Sequence, residues 1–142
     1  MGDEGKDLVY AVFDVINSGE LDRADQVIHP DYVELSPFGE GLRGPEGFRQ
    51  LIGMFRGAFP DLHITVDEVI VEGDVAAWRS TMRATHTGEF LGIPPTGRQV
   101  TVTSIDFGRR KDGLAIEHRP SPDLLGLFQQ LGVVPDLASA GA

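Results

Sequence analysis

The sequence contains no cysteine among its 142 residues, so disulfide bonds, thiolate metal sites and cysteine nucleophiles are excluded. Positive charge is scarce, because 12 Lys and Arg stand against 22 Asp and Glu, which gives a net charge of −10. This balance argues against nucleic acid or an anionic membrane as the main partner. A small neutral or weakly polar ligand remains open.

Long apolar runs are also missing. No stretch approaches the roughly 18 apolar residues of a membrane span, and residues 1–7 (MGDEGKD) lack the basic and apolar regions of a signal peptide. We therefore expect a cytoplasmic protein. The length fits a single domain whose core is formed by residues 7–133, and residues 134–142 are expected to be a frayed tail.

The N-terminal half has the apolar periodicity of helices. Residues 7–17 predict a first helix, and a short apolar stripe from Leu21 to Ile28 predicts a second, which the His29-Pro30 pair ends. Residues 31–44 predict a short strand that leads into a glycine-rich loop. A third helix is predicted to begin at Pro45. Its apolar face comprises Phe48, Leu51, Ile52, Phe55 and Phe59.

The C-terminal half changes to the pattern of β-strands. From residue 62 onwards, β-branched residues predict four long strands of a meander, separated by Gly73, by the loop 85–97 and by the Asp112-Gly113 turn. Asp123 then precedes a last short helix. Helices first and antiparallel strands after predict an α+β fold. A curved antiparallel sheet wrapped around the N-terminal helices makes a cone, and the pocket inside such a cone binds small apolar ligands.

Alternation along the strands predicts which side chains face this pocket. In residues 76–86 the even positions face inward. Asp106 lies on an apolar face of the next strand, and His118 lies on an apolar face of the strand after it. Because these two strands are joined across the Asp112-Gly113 turn, the carboxylate and the imidazole could touch. Their apolar neighbours are Val100 and Val102 on one strand and Leu114 and Ile116 on the other.

Several separated motifs follow one another along the chain. They are THTGEFLGIPPTG (85–97), Ile105-Asp106, Glu117-His118, DLLG (123–126) and QQLG (129–132). The N-terminal stretches AVFDVINSGELD, HPDYVELSP and FRGAFPDL belong to the same pattern. Over roughly residues 7–133 the sequence resembles the SnoaL-like polyketide cyclase family of the NTF2-like superfamily.

The resemblance implies an NTF2-like cone that is often dimeric or tetrameric, so a homodimer or homotetramer is expected. It implies ring closure of a polyketide ester by an intramolecular aldol reaction, or similar acid–base chemistry on a small apolar carbonyl compound. No metal and no organic cofactor are expected. Other members of the superfamily isomerise ketosteroids, open epoxides or only bind a ligand.

The resemblance also implies catalytic candidates. The acid/base of the cyclases is an aspartate in the C-terminal stretch, which makes Asp123 the first candidate and Asp106 the second, with His118 as partner or oxyanion donor. Each candidate has a structural alternative. Asp123 can cap the last helix, which contributes about 1 kcal/mol, and Asp106 and His118 can form a buried structural pair.

The pocket is expected to have aromatic, apolar and a few polar lining residues. The substrate-binding candidates are Phe13, Tyr32, Ser36, Phe55, Phe59, Trp78, Met82, His86, Phe90 and Ser104. Of these, His86 fits a solvent-exposed turn better than a ligand site, and the phenylalanine stripe of the third helix is more typical of a core. Together with Leu91 and Ile93, Phe90 is expected to cover an open edge or the mouth of the cone, or to form a subunit contact.

The sequence departs from its relatives at two places. Many of them carry tryptophan after the Glu-His pair, where residues 119–122 are Arg-Pro-Ser-Pro. Ketosteroid isomerases carry a carboxylate base before a Pro-x-Gly turn, where this chain has Ser36, which cannot act as a base near neutrality.

Epoxide hydrolysis needs an Asp-Arg-Asp arrangement, and no arginine stands beside Asp106. The alternatives to a cyclase are a non-catalytic binding protein, an epoxide hydrolase-like or isomerase-like enzyme, and a structural dimerisation module.

Overall fold

The structure is a computed structural model that describes residues 4–39 and 41–135. Helices come first and four long strands follow, which confirms the predicted α+β class. The elements are α1 (Glu4–Ser18), a 3₁₀ helix (Leu21–Gln26), β1 (Ile28–Glu34), α2 (Gly44–Ala58), β2 (His63–Glu72), β3 (Val75–Thr85), β4 (Gln99–Lys111), β5 (Leu114–Pro122) and α3 (Leu124–Leu131). Most of the predicted tail, residues 136–142, lies outside the described residues.

The five strands form one curved sheet in the order β1-β5-β4-β3-β2. Strands β2 to β5 are antiparallel neighbours, which confirms the predicted meander. Strand β1 pairs with β5 in parallel, so the prediction of a wholly antiparallel sheet is wrong at this edge. The reason is topological: α2 and three strands separate β1 from β5, and a long connection of this kind can join parallel strands whereas a hairpin cannot.

The segment around Pro30 corrects the predicted second helix. The helical turn ends at Gln26, and Ile28 already belongs to β1, opposite Ala115 of β5. Ile28 is almost fully buried there. Pro30 is tolerated inside the strand because β1 is an edge strand and Pro30 lies in the irregular stretch between the paired residues Ile28 and Val33, where it has no ladder partner.

The turn between β4 and β5 is the one predicted from Asp-Gly. Asp112 has φ 55° and Gly113 has φ 76°. Left-handed conformations at both central residues match the right-handed twist of the flanking strands, and Asp-Gly adopts them readily. The turn therefore brings β5 back along β4, with Asp106 and His118 on neighbouring strands.

A bulge in β5 changes the predicted inward face. Arg109 pairs with Glu117 and Arg110 pairs with Ala115, so Ile116 is an extra residue in the ladder. One inserted residue reverses the alternation beyond it. Ala115, and not Ile116 or Leu114, therefore shares the concave side with His118.

Helices α1 and α2 pack against the concave face of the sheet and bury most of the apolar side chains. The two helices contribute Val9, Phe13, Val15, Ile16, Phe48, Leu51 and Ile52 to the buried set, and β3 and β4 contribute Ala76, Trp78, Ala84, Val100 and Val102. These helices do not fill the concave side completely, and a cavity remains. Within residues 4–39 and 41–135, no helix is long and apolar enough to cross a membrane.

Candidate active site

A cavity of about 190 Å³ lies between α1, α2 and the concave face of the sheet. Its walls are mostly aliphatic and aromatic, as expected for a site that takes a small apolar ligand. Seven of the ten predicted substrate-binding residues line it, namely Phe13, Tyr32, Ser36, Phe55, Trp78, Met82 and Ser104. The even-numbered face of β3 therefore points inward, as the alternation predicted.

The other three predicted residues lie outside the cavity, which corrects their expected contact with substrate. Phe59, His86 and Phe90 are fully buried in a core cluster beside it. The ring centroid of Phe59 lies 5.4 Å from that of His86 and 5.3 Å from that of Phe90. Phe90 reaches the cavity only indirectly, because it packs behind Phe38 and Phe55, which line it.

His86 is therefore a core residue and not part of an exposed turn. Its Nδ1 accepts a hydrogen bond from the backbone N–H of Thr96 at 3.2 Å and lies 3.0 Å from the Thr96 hydroxyl. These contacts tie the two ends of the loop 86–97 together. The sequence did not indicate them, because both partners belong to a loop without periodicity.

Asp106 and His118 are in direct contact inside the cavity, as predicted. The Nε2 atom of His118 lies 2.8 Å from Oδ2 of Asp106. The hydroxyl of Ser104, two residues earlier on β4, donates to the other carboxylate oxygen, Oδ1. The Asp106 carboxylate is thus fixed at both oxygens, and it faces the cavity.

Glu34 is a member of the site that was not predicted from the sequence. It is 1% exposed and lies opposite His118 in the parallel β1–β5 pair. Both of its carboxylate oxygens are 2.9 Å from Nδ1 of His118. One signal was available: Tyr32 and Ser36 were both expected to line the pocket, and a period of two places Glu34 on the same face.

Tyr32 completes a chain of hydrogen bonds along this wall. Its hydroxyl donates to Oε1 of Glu34 at 2.8 Å. Burial, followed by the charge of Glu34 and the hydrogen bond to it, raises the pKa of Tyr32 well above its ordinary value. Tyr32 therefore remains protonated and acts as a donor. The chain runs from Tyr32 through Glu34, His118 and Asp106 to Ser104.

The imidazole of His118 is held in its charged form. Burial lowers its pKa, but the hydrogen bonds to Asp106 and Glu34, together with the charges of both carboxylates, outweigh burial and raise the pKa of His118 to about 9. Near neutral pH both ring nitrogens therefore donate. The indole of Trp78 stacks on this ring, with centroids 5.7 Å apart and planes within 5°, an arrangement that favours a cation.

Asp123, the first candidate from the sequence, does not line the cavity. Its carboxylate is exposed and accepts the backbone N–H of Gly126 at 2.9 Å, as the N-cap of α3. The capping interpretation is therefore confirmed. In this position the side chain satisfies a helix-end donor and contacts neither Asp106 nor His118.

The Arg-Pro-Ser-Pro segment also takes a defined place. Pro120 and Pro122 line the cavity, whereas Arg119 is exposed on the other face and bonds to Glu117. The two proline rings thus supply apolar wall where many relatives were expected to carry an indole. Among the described residues, no group of three or more His, Asp or Glu side chains is arranged to hold a metal ion.

The fold and the site together define a class of protein. A curved sheet wrapped around two helices, with a carboxylate–imidazole pair inside an apolar cavity, is typical of small enzymes that act on hydrophobic substrates. The SnoaL-like polyketide cyclase family matches residues 6–131, and the chain belongs to this family. It is therefore an enzyme of the SnoaL-like cyclase type.

Individual relatives agree with this assignment. Nogalonic acid methyl ester cyclase of Streptomyces nogalater is 34% identical over 119 residues, which cover 82% of this chain and 88% of the relative. Aklanonic acid methyl ester cyclase DnrD of Streptomyces peucetius is 31% identical over 129 residues, 89% of either chain. The solved structure of TsrD from Streptomyces laurentii superimposes with a TM-score of 0.85 at 36% identity, over 94% of this chain and 98% of TsrD.

Proposed function

We propose that this protein closes a ring in a polyketide ester by an intramolecular aldol reaction, with Asp106 as the base and His118 as the acid. The observation that carries the proposal is the 2.8 Å contact between Asp106 Oδ2 and His118 Nε2 inside an apolar cavity. A base and a proton donor side by side are the two groups that aldol chemistry requires. Asp123, at the surface, is not assigned a chemical role.

The proposed reaction balances on these two side chains. A carboxylate oxygen of Asp106 takes a proton from the carbon next to a carbonyl, and the resulting enolate carbon forms a bond to a second carbonyl carbon of the same molecule. The oxygen of that second carbonyl gains the electron pair and takes the proton from Nε2 of His118. The proton on Asp106 then passes to Nε2 across the short contact, which restores both groups.

The charges of the cavity favour a neutral substrate. His118, the cation of the inner wall, is already shared by two carboxylates. At the rim, Arg109 pairs with Asp74 and Glu117, and Arg110 pairs with Glu4. A free carboxylic acid would therefore meet negative charge without a spare cation, whereas an ester would not. The two curated relatives are named for methyl esters, which supports the same choice for this chain.

The test is to compare wild type with Asp106→Asn on a polyketide methyl ester that cyclises, following product by chromatography. We expect the variant to lose at least about 100-fold in kcat, the usual contribution of a general base, and to bind the ester within a few-fold of wild type. Asp14→Asn, which changes an exposed carboxylate on α1, is the control. Equal turnover by wild type and Asp106→Asn would disprove the assignment. Ester binding without any turnover by wild type would favour a non-catalytic binding protein.

We also propose that the protein forms a homodimer through the outer face of the sheet. Ile70 and Ile105 are 65% and 66% exposed on this face. Ala77 of β3 pairs with Ile70 on one side and with Phe107 on the other, so these three residues form one row across the sheet. Arg79 and Glu68, of opposite charge, pair beside them. An apolar patch that carries both signs of charge suits contact with a second copy of itself.

The dimer is tested by light scattering after size-exclusion chromatography. Ile105→Lys is expected to shift the mass from dimer to monomer, because a charged side chain in the apolar patch would lose its hydration on association. Tyr10→Lys changes a similarly exposed residue on α1 and is expected to leave the mass unchanged. A monomeric wild type, or a dimer that resists Ile105→Lys, would contradict this interface.

A further inference from the structure

Glu34 is the most deeply buried carboxylate of the site, yet no step of the proposed reaction uses it. We propose that Glu34 is a positioning residue: it holds the ring of His118 through Nδ1, so that Nε2–H stays directed at Asp106, and it exchanges no proton with substrate. This inference rests on the proposed function of the Asp106–His118 pair. It adds a third group, from the opposite edge of β5, to that pair.

The backbone fixes Glu34 and His118 relative to each other. They are partners in the parallel β1–β5 register, and the N–H of Leu35 donates to the carbonyl oxygen of His118 at 2.9 Å. The two carboxylate oxygens of Glu34 are equally distant from Nδ1, at 2.9 Å. With Nε2 bound to Asp106 on the other side, the imidazole is held at both nitrogens and cannot turn without breaking a charge-assisted hydrogen bond.

Glu34 is poorly suited to be the base itself. Oε1 accepts from both Tyr32 and His118, and Oε2 accepts from His118. Each oxygen of Asp106 accepts from one donor, whereas Oε1 of Glu34 already accepts from two, and Glu34 is 1% exposed against 6% for Asp106, so Glu34 has less room for a further contact with a ligand carbon. Glu34 therefore acts on the reaction through His118.

Removing the charge of Glu34 must change the titration of His118. The charged or titratable side chains that line the cavity are Tyr32 and Glu34 from β1, Asp74 before β3, Asp106, Arg109 and Arg110 from β4, and Glu117 and His118 from β5. The helices α1, α2 and α3 contribute only apolar residues and glycine to the lining of the cavity. Of the whole set, Glu34 and Asp106 alone are hydrogen-bonded to the ring, so both contribute to the attraction that keeps it charged.

The experiment compares Glu34→Gln with Tyr32→Phe. The first variant keeps the shape of the side chain and removes its charge, whereas the second removes a hydroxyl from the same chain of bonds and keeps the charge. The ring signal of His118 is assigned by its loss in His118→Gln and titrated by NMR. We expect the pKa of His118 to fall by about 1 unit or more in Glu34→Gln, the usual effect of a lost ion-pair partner, and by less than about half of that in Tyr32→Phe.

Turnover supplies the second readout. The alkaline limb of the kcat profile is expected to move to lower pH in Glu34→Gln by the same amount as the His118 titration, with KM changed less than about threefold. A His118 titration that is unchanged in Glu34→Gln overturns the inference. If the pKa of His118 falls but the alkaline limb of the kcat profile does not move, the inference is also overturned, because the contact of Glu34 with the ring would then have no effect on the reaction.

The proposed function can fail separately. If wild type shows no turnover, the aldol assignment is lost. The NMR titration of His118 still tests whether Glu34 positions the ring. If Glu34→Gln does not fold, wild type labelled with ¹⁵N-histidine decides the question. Both ring nitrogens of His118 are expected to carry protons at pH 7.5, and a bare Nδ1 overturns the inference.

Discussion

The indole of Trp78 occupies the space in which a side chain at position 108 would stand. A Cβ on Gly108 would lie 2.8 Å from Cη2 of Trp78 and 2.9 Å from Cζ3. Gly108 pairs with His118 across β4 and β5, so the missing side chain lets the indole lie flat against the imidazole. A glycine in the middle of a strand, otherwise weakening, is thus needed where a ring passes close to the backbone.

Gly108→Ala is therefore expected to displace Trp78 and to lower the free energy of unfolding by about 1–3 kcal/mol, the usual cost of overpacking. Because the protein contains one tryptophan, its fluorescence reports this site directly. Gly53→Ala is the matched control, since nothing lies within 4 Å of a Cβ there and alanine favours the helix. An unchanged emission maximum and stability in Gly108→Ala would contradict the packing described.

Asp123 is expected to matter for stability and not for chemistry. Asp123→Ala should lower the free energy of unfolding by about 1 kcal/mol, because the N–H of Gly126 loses its acceptor. Asp123→Asn keeps a capping oxygen and should change stability by less than about 0.5 kcal/mol. Turnover of Asp123→Asn is expected to match wild type. A loss of turnover as large as that of Asp106→Asn would return the acid/base role to Asp123.

Phe90 and its neighbour Leu91 are expected to differ sharply. Phe90 is fully buried against Phe55 and Phe59, whereas Leu91 is 51% exposed. Phe90→Ala should therefore cost about 3–5 kcal/mol in urea unfolding, and Leu91→Ala less than about 0.5 kcal/mol. Similar values for the two variants would show that this loop does not pack as described.

Stability is expected to fall as pH rises through the titration of His118. The pKa of His118 is about 9 in the folded protein, against 6.5 for an unperturbed histidine. The folded state therefore binds the extra proton more tightly, and this stabilisation is complete below pH 6.5 and lost above about pH 9. The loss is on the order of 3 kcal/mol. Urea unfolding between pH 6.5 and 9.5 measures it. A flat profile would mean that His118 is not held as a cation.

Local patterns in the sequence were sufficient for much of the site. Alternation of inward and outward residues identified Trp78 and Asp106, and the Asp112-Gly113 turn placed His118 beside them. These features depend on a few neighbouring residues, which is why periodicity detects them. The same alternation failed at Leu114 and Ile116, because Ile116 is a single inserted residue that reverses the pattern and no composition signal marks the bulge.

Long-range pairing could not be read in the same way. Glu34 and His118 are 84 residues apart, and the parallel register that joins them depends on how α2 crosses the sheet. Phe90 shows the same limit, because its loop has no period and it is buried against Phe55 of α2 and Phe59, which directly follows α2. Asp123 shows another: an aspartate before a helix fits both a cap and an acid, and only its position relative to the cavity separates them.

The hydrogen-bonding wall of the cavity is one-sided, since Tyr32, Glu34, Asp106 and His118 all project from the sheet while the helices opposite contribute hydrocarbon. A flat substrate that lies between the sheet and the helices would present one of its two faces to the hydrogen-bonding side chains of the sheet. In the proposed reaction, removal of the proton from carbon and delivery of a proton to the new hydroxyl oxygen would then occur on one face of the substrate, and the configuration of the new carbinol carbon would depend on which face of the substrate meets the sheet.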